Sequence, residues 1–344
     1  MSANYITSYF IENFLKDPVD SQESFAGISY DGEPVALSLP ARQQEAFSIR
    51  EGELEFRFTM KRYPEFQAVE WLTTVTNLSR EPSGIVSDIA VLDLKIPMPS
   101  DAEIVHKGLN GDNCNKDSFL PFTRPLNCGT SAFYKPKGGK SSHWEFPFFD
   151  ICGEEDGLIC GIGWSGTWCY ELKRTEKELT LKVGLPDARF YMKPQETLRL
   201  PRILLMGYEN GYSAGHNQFR KLMRDHYSPK VRFGNEMKMP MALQNFDRYT
   251  FAMPEWNTEE AQIKTIDIAE KCGLCDTYWL DAAWFEGEFP KGVGNYTFRE
   301  GFPEGLTDIS AHAHEKNIRV MIWFEPERVY HGTEIEREHP EFLL

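Results

Sequence analysis

Three polar residues follow apolar runs in the second half of the chain. Asn245 ends MALQN, Asp281 ends TYWLD, and Glu325 follows the run RVMIWF. In parallel sheets and barrels, side chains at the carboxyl ends of the strands face the ligand site. An ionised carboxylate in that position accepts hydrogen bonds from ligand hydroxyl groups. The pattern makes Asp281 a candidate for binding a hydroxylated ligand, with a helix-capping or loop role as the alternative.

The segments around these residues alternate between strand and helix patterns. After MALQN, Asn257 is predicted to cap a helix over TEEAQIKTIDIAEKC, with Glu260 placed for a capping box and Gly273 at its end. A second helix over GLTDISAHAHEK ends at Asn317. Near-continuous apolar strands joined by helices are typical of a parallel sheet covered by helices. Three such strands cannot close a barrel, so residues 240–344 are predicted to be part of one.

The first part of the chain shows strand patterns instead. Apolar and polar residues alternate through LEFRFTMK, and GLICGIGWSGTWCYEL predicts two strands separated by glycines. Many short strands with recurring turn motifs indicate a large antiparallel sandwich, predicted over residues 1–214, with residues 215–239 as a helical linker. Pro201 lies inside the last apolar run and predicts either an edge strand or a split strand.

Composition excludes several classes of partner. The chain has 37 Lys and Arg against 52 Asp and Glu, a net charge of -15, which argues against nucleic acid and anionic membrane surfaces. No apolar run approaches the ~18 residues of a membrane span. The N-terminus has neither the basic start nor the apolar stretch of a secretory signal. Seven dispersed cysteines suit a reducing compartment, so we predict a cytoplasmic protein.

A series of motifs resembles the glycoside hydrolases of family 36, the α-galactosidase or melibiase family. In order along the chain, the motifs include AVEWLTTVTNL, GGKSSHWEFPFFD, GLICGIGWSGTW, KPQETLRLPRILLMGY, PMALQNFD, TYWLDAAWF and IRVMIWFEPERV. The resemblance implies a multidomain β plus α/β protein, in which an antiparallel β super-sandwich precedes the first βα units of a truncated (β/α)8 TIM barrel. It also implies retaining hydrolysis of terminal α-linked galactose, or a related sugar, from oligosaccharides. No metal or organic cofactor is implied, and the full-length protein is expected to form a homo-oligomer.

The resemblance carries over to individual residues of the barrel. Asp281 matches the first of two adjacent Asp residues that bind galactose hydroxyls in the family, but Ala282 stands where the second would be. Asn295 and Tyr296 match an Asp-Trp pair in the loop after that strand. We therefore expect Asp281, Asn295 and Tyr296 to bind substrate, while the identity of the sugar stays open.

Two tryptophans complete the expected substrate-binding set. Trp323, in MIWFEP, matches a family Trp of the sugar subsite, although a Trp on an apolar strand commonly belongs to the core. Trp284 follows Asp281 closely, so it either lines the same pocket or wedges the loop.

The catalytic carboxylates are not predicted within this chain. A retaining glycosidase uses two carboxylates about 5–5.5 Å apart, one as nucleophile and one as acid/base. In the family the nucleophile lies in a Lys-x-Asp-x-Asn motif on a later strand, and the acid/base lies beyond it; that motif does not occur among these 344 residues. Glu325 and Glu327 are expected to bind loop backbone or Arg328. We therefore expect the chain by itself to lack glycosidase activity.

Two alternatives belong to other functional classes. The sandwich could bind carbohydrate through Trp144, Trp164 and Trp168, with a barrel part that takes no part in function. It could instead serve only to assemble oligomers. Cys272 and Cys275 have the C-x-x-C spacing of a redox or zinc site, but no second pair lies nearby, so packing is the preferred interpretation.

Overall fold

A computed structural model describes residues 4–16, 24–38, 44–229, 239–244, 256–282 and 284–343 of the chain. The chain divides into two compact units, Met1–Arg232 and Phe233–Leu344. Within the described residues, every helix is too short or too polar to cross a lipid bilayer.

The first unit contains two antiparallel sheets, and its strands are numbered in chain order. One sheet comprises seven strands: β1 (Ser24–Tyr30), β2 (Glu33–Ser38), β6 (Val86–Pro97), β9 (Ser131–Tyr134), β12 (Cys169–Arg174), β13 (Glu178–Gly184) and β14 (Arg189–Phe190). Its order is β2-β1-β6-β13-β12-β9, and β14 also pairs with β6. The central strand β6 joins two hairpins that are far apart in sequence.

The other sheet comprises nine strands. They are β3 (Ala46–Glu51), β4 (Leu54–Tyr63), β5 (Ala68–Asn77), β7 (Val105–Asn110), β8 (Pro121–Pro125), β10 (Glu145–Cys152), β11 (Gly157–Gly163), β15 (Thr197–Arg199) and β16 (Arg202–Tyr208). Their order is β3-β4-β5-β16-β11-β10-β7-β8, and β15 pairs with β5. Pro201, which has no N–H for a ladder, separates β15 from β16, so the prediction of a split strand is confirmed.

The two sheets share one apolar core, so the antiparallel architecture predicted for the first part of the chain is confirmed. Phe56 and Phe58 of β4 alternate inward with Arg57 and Thr59 outward, as the period-two pattern requires. They join Leu92 of β6 and residues of the other strands in a single buried cluster. A large buried apolar area of this kind supplies most of the stabilising free energy of a sandwich.

A short helix precedes the sheets and was missed by the strand-based prediction. Helix α1 (Tyr5–Phe10) continues as a π-helical turn, Ile11–Leu15, and buries Phe10 and Phe14 in the core. Its first turn is capped by a residue distant in sequence. Asp156 Oδ2 accepts hydrogen bonds from the backbone N–H groups of Ile6 and Thr7, both at 2.9 Å. A carboxylate at a helix N-terminus also interacts favourably with the helix dipole.

Asp156→Ala is expected to lower the free energy of unfolding by about 2 kcal/mol, since two buried backbone donors lose their acceptor. Chemical denaturation measures the loss. The control is Glu154→Ala in the same turn, where the side chain is exposed. Equal stabilities of the two variants would show that Asp156 does not anchor the helix.

The first unit continues with helix α2 (Gly211–Leu222) and a π-helical turn, Met223–Tyr227. This segment packs on the outer face of the nine-stranded sheet, where Leu222 joins a second apolar cluster with Tyr208 and Met206. The turn is tied to the sheet because the Tyr227 hydroxyl donates to Glu70 at 2.5 Å. The helix predicted for this stretch is therefore present.

The second unit contains a parallel sheet of three described strands. These are β17 (Ala242–Gln244), β18 (Thr277–Leu280) and β19 (Arg319–Ile322), in the order β17-β18-β19. Helix α3 (Glu259–Cys272) connects toward β18, and helix α4 (Thr307–Glu315) precedes β19. A short helix α5 (Glu334–Glu338) follows. The alternation of parallel strands and helices agrees with the prediction.

One helix boundary differs from the sequence prediction. The cap of α3 is Thr258, whose hydroxyl accepts from the Ala261 N–H at 3.3 Å, so the prediction of Asn257 as cap was wrong. Two neighbouring residues could both serve as caps, and only the backbone conformation selects between them. Gly273 ends the helix in the left-handed region at φ +63°, as predicted.

Candidate functional site

The candidate site lies at the carboxyl ends of the parallel strands, and Asp281 is its central polar group. Asp281 follows β18 directly and is 7% exposed. The Gln244 side-chain amide, from the neighbouring strand β17, donates to Oδ2. The backbone N–H of Ala282 donates to Oδ1 at 2.6 Å. Each oxygen therefore has one donor that fixes its orientation and keeps capacity to accept another hydrogen bond.

Gln244 was not among the predicted site residues. The sequence pattern points to its neighbour Asn245, which lies outside the described residues. Gln244 pairs with Trp279 in the parallel ladder, which places it one strand away from Asp281. The available signal was a polar residue at the end of an apolar strand.

Trp323 lies beside Asp281 at the same edge of the sheet. Its backbone N–H donates to the carbonyl of Leu280 at 3.0 Å, which continues the β18–β19 ladder by one residue. The indole is half-buried and packs nearly parallel to Phe285, with ring centroids 6.3 Å apart. Phe289 meets the same indole edge-on at 5.9 Å. The structure thus brings Asp281 and Trp323 to adjacent strand ends.

Trp284 occupies the interior below this edge. It is 2% exposed, and its indole N–H donates to the carbonyl of Trp323 at 3.0 Å. Aromatic rings surround it, with centroid distances of 5.4, 6.2, 5.2 and 5.3 Å to Phe285, Tyr296, Phe298 and Phe324. The sequence left open whether Trp284 lines the pocket or wedges the loop, and these contacts favour the wedge.

Asn295 and Tyr296 use their polar atoms to hold loops together. The Asn295 amide donates to the carbonyl of Glu286 at 2.9 Å and accepts from the backbone N–H of Glu334 at 3.1 Å. The Tyr296 hydroxyl donates to the carbonyl of Glu325 at 2.5 Å and accepts from the N–H of the same residue at 3.1 Å. Burial, followed by the negative charge of Glu327, raises the pKa of Tyr296, so its hydroxyl stays protonated at neutral pH.

Glu325 forms an internal ion pair. Its carboxylate is 6% exposed and accepts two hydrogen bonds from the Arg328 guanidinium, one of them at 2.7 Å. A bidentate pair of this kind fixes both side chains. The sequence interpretation of Glu325 as a partner of Arg328 agrees with this geometry.

The tryptophans of the sandwich are arranged unlike a sugar-binding surface. Trp168 is fully buried, and its indole N–H donates to the Ser141 carbonyl at 2.9 Å. Trp164 is half-buried against the core, whereas Trp144 is 40% exposed. The three therefore do not form the shared exposed platform that the alternative hypothesis needs.

Potential metal-ligating side chains are dispersed over the described part of the chain. Among the described residues, His, Cys, Asp and Glu side chains do not gather in groups of three or more that could hold a metal ion. Cys272 and Cys275 are free thiols. His312 lies 2.7 Å from Asp267, a neighbouring carboxylate on α3.

The known proteins to which this chain is similar are α-galactosidases. A model of the Melibiase family matches residues 198–344. The α-galactosidase Mel36A of Lactobacillus acidophilus is 25% identical over 219 residues, which are 60% of this chain and 29% of that protein. A probable α-galactosidase G of Emericella nidulans is 24% identical over 329 residues, or 90% of this chain and 43% of that protein. The chain is thus similar to α-galactosidases of glycoside hydrolase family 36.

Solved structures of the same type share the fold of this α-galactosidase-like chain. The α-galactosidase of Lactobacillus brevis has a TM-score of 0.70 at 17% identity, covering 95% of this chain and 47% of that one. The family 36 enzyme AgaA of Geobacillus stearothermophilus, in complex with stachyose, has a TM-score of 0.67 at 17% identity, covering 93% and 48%. The α-galactosidase-like chain thus spans less than half the length of these relatives.

Proposed function

We propose that the protein acts in retaining glycoside hydrolysis and binds terminal α-linked galactose, or a related sugar, of oligosaccharides. The observation that carries the proposal is the Asp281 carboxylate, buried at the end of a parallel strand and oriented by Gln244. The relatives of this chain are named α-galactosidases, and one solved structure with a similar fold, that of AgaA, is a complex with stachyose. A carboxylate held in this way accepts sugar hydroxyl groups without rearranging, which favours binding.

The other candidate residues have supporting roles in this proposal. Trp323 offers an aromatic face to the apolar C–H face of the sugar ring. Asn295 and Tyr296 border the sugar through the loops they hold, and Trp284 supports Trp323 from below. Ala282, where the family has a second Asp, removes one acceptor, so the preferred sugar differs from galactose at one hydroxyl or is bound with fewer contacts.

We propose the domain organisation that the resemblance implies. Residues 1–214 form a super-sandwich, residues 215–239 a linker, and residues 240–344 the first βα units of a (β/α)8 barrel. The parallel order β17-β18-β19, with helices between the strands, supports this assignment because it is the repeating unit of such barrels. No nucleophile or acid/base is assigned within these 344 residues, which contain no Lys-x-Asp-x-Asn motif.

Asp281→Asn is expected to weaken sugar binding about ten- to one-hundredfold, since it replaces a charged acceptor that contributes roughly 1.5–3 kcal/mol. Isothermal titration with 1-deoxygalactonojirimycin and with raffinose measures this change. The matched control is Asp308→Asn, an exposed carboxyl group on α4. Equal affinities for the two variants would exclude Asp281 from the sugar site.

Residues 1–344 alone are expected to show no hydrolysis of 4-nitrophenyl α-galactoside above the rate in buffer, while still binding the ligands. The reason is that binding groups without a nucleophile and acid supply no route to the glycosyl-enzyme intermediate. Turnover that is abolished by Asp281→Asn would contradict the proposed absence of the catalytic pair.

Two further proposals concern the cellular form of the protein. All seven cysteines are free thiols, which supports a cytoplasmic location because disulfides persist in oxidising compartments. We also propose a homo-oligomer, for which light scattering on the purified protein gives the mass directly. A monomer at all concentrations would contradict it.

A further inference from the structure

A cavity of about 550 Å³ lies on the outer face of the nine-stranded sheet, within the first unit. Strands β7, β8, β10 and β11 form its floor and one wall, and helix α2 forms the other wall. Small-molecule sites in proteins have volumes of roughly 300–1,000 Å³ and mostly apolar linings with a few polar groups. The size and position of this cavity are those of a ligand site.

Helix α2 presents one chemically mixed face to this cavity. Tyr212, His216 and Phe219 are spaced four and three residues apart, so they project from the same side of the helix. Phe148 and Phe122 line the strand side. Phe148 meets Phe219 edge-on at 5.7 Å, so aromatic rings line the cavity from both the helix and the sheet.

The polar centre of the cavity is the buried carboxylate of Asp150, which is 2% exposed. Its Oδ2 atom accepts from the Tyr208 hydroxyl at 2.7 Å and lies 3.0 Å from His216 Nε2. Its Oδ1 atom has no hydrogen-bond partner in the structure. A buried acceptor without a donor costs about 1–3 kcal/mol, so a ligand group or bound water that supplies a donor is favoured here.

Two more polar groups lie at the rim. The His216 side chain is half-exposed, and its bond to Asp150 through Nε2 leaves Nδ1 directed away from the carboxylate. The Lys107 ammonium sits 3.7 Å from the centroid of the Tyr212 ring. Lys107 is also the direct cross-strand neighbour of Asp150 in the β7–β10 ladder. Donors and acceptors are therefore both present around one aromatic wall.

We infer that this cavity binds a neutral, polyhydroxylated ring, such as one sugar unit. Such a ligand needs aromatic faces for its C–H surfaces and both donors and acceptors for its hydroxyl groups. The buried Asp150 disfavours an anion, and Lys107 disfavours a cation. A purely apolar ligand would leave the Oδ1 atom of Asp150 without a donor.

Saturation-transfer NMR on the whole 344-residue chain tests this inference, with D-galactose, D-glucose and raffinose as the probes. We expect saturation transfer from the protein to at least one probe, and we expect the same transfer in Asp281→Asn. Tyr212→Ala and His216→Gln are expected to reduce it at least fivefold. Both side chains are half-exposed, so these substitutions leave the core intact. The control is Phe133→Ala, an exposed aromatic residue on β9 that lies outside the cavity.

The outcomes separate this inference from the proposed function. Transfer lost in the cavity variants and kept in Asp281→Asn supports the inference. The inference is overturned if saturation transfer is lost only in Asp281→Asn, or if it is unchanged in both cavity variants. Neither result contradicts the proposed role of Asp281. Absence of transfer to all three probes also overturns it, as does a change in molecular mass in Tyr212→Ala, which would assign the cavity to a second copy of the chain.

Discussion

Trp284→Ala is expected to lower the free energy of unfolding of the second unit by about 3–5 kcal/mol, the range for removing a buried tryptophan. The side chain is 2% exposed and fills the space between four aromatic rings. Removal also leaves the Trp323 carbonyl without its indole donor. The cavity and the lost hydrogen bond act together, so the loop that carries Trp323 becomes unstable.

Hydrogen exchange localises this effect. Amides of β18 and β19 should exchange much faster in Trp284→Ala, whereas strands of the first unit should be unchanged. Trp256→Ala is the control, because that tryptophan is 56% exposed in the same unit. Trp284→Phe, which keeps most of the ring volume, should lose far less stability. Similar exchange in Trp284→Ala and Trp256→Ala would disprove the wedge role.

The stability of the first unit is expected to fall as the pH is lowered from 6.5 toward 3, because of His106. This residue is fully buried between the two sheets. Burial, with a smaller effect of the Arg124 guanidinium, lowers the pKa of His106 to about 3. Its ring nitrogens each lie 3.1 Å from a tyrosine hydroxyl, those of Tyr134 and Tyr170. Arg124 donates to the Tyr134 oxygen, which favours a neutral ring with its proton on Nε2.

The loss of stability at low pH follows from proton uptake by the unfolded state. Above pH 6.5 the histidine is neutral in both states, so it adds no pH dependence. Below pH 6.5 His106 binds a proton in the unfolded state but stays neutral in the folded state. Lowering the pH therefore favours unfolding. Between pH 7.5 and pH 5 the expected loss is about 2 kcal/mol from this residue alone.

Denaturation at pH 7.5 and pH 5 measures this contribution. His106→Gln should be less stable at pH 7.5 but should lose about 2 kcal/mol less on acidification. His143→Gln, at a partly exposed histidine of the same unit, is the control. An identical pH dependence in the wild type and His106→Gln would show that the buried histidine takes up its proton in the folded state.

Local patterns predict most strands and helices, apart from helix α1, but not how the strands pair. The alternation in β4 and the helix–strand order of the second unit depend on neighbouring residues, so the sequence reveals them. The run GLICGIGWSGTWCYEL forms two strands, as its pattern predicts. Those strands, β11 and β12, lie in different sheets. Their partners are set by contacts distant in sequence, which periodicity does not contain.

In the candidate site, too, the sequence predicts individual residues but not the contacts between them. Asp281 was found because a charged residue ended an apolar strand. The roles of Gln244 and Trp284 depend on which atoms meet across strands and loops, so they required coordinates. The cavity around Asp150 was missed for a similar reason, because its lining combines strands and a helix separated by up to about one hundred residues.

The bond between Asp156 and the first helix has a consequence for biosynthesis. Ile6 and Thr7 leave the ribosome about 150 residues before their acceptor, a separation of 150 and 149 positions. At roughly 5–20 residues per second, the segment waits many seconds without its partner. We expect it to dock only after the β10–β11 hairpin emerges, so the nascent chain exposes Phe10 and Phe14 to chaperones throughout that interval.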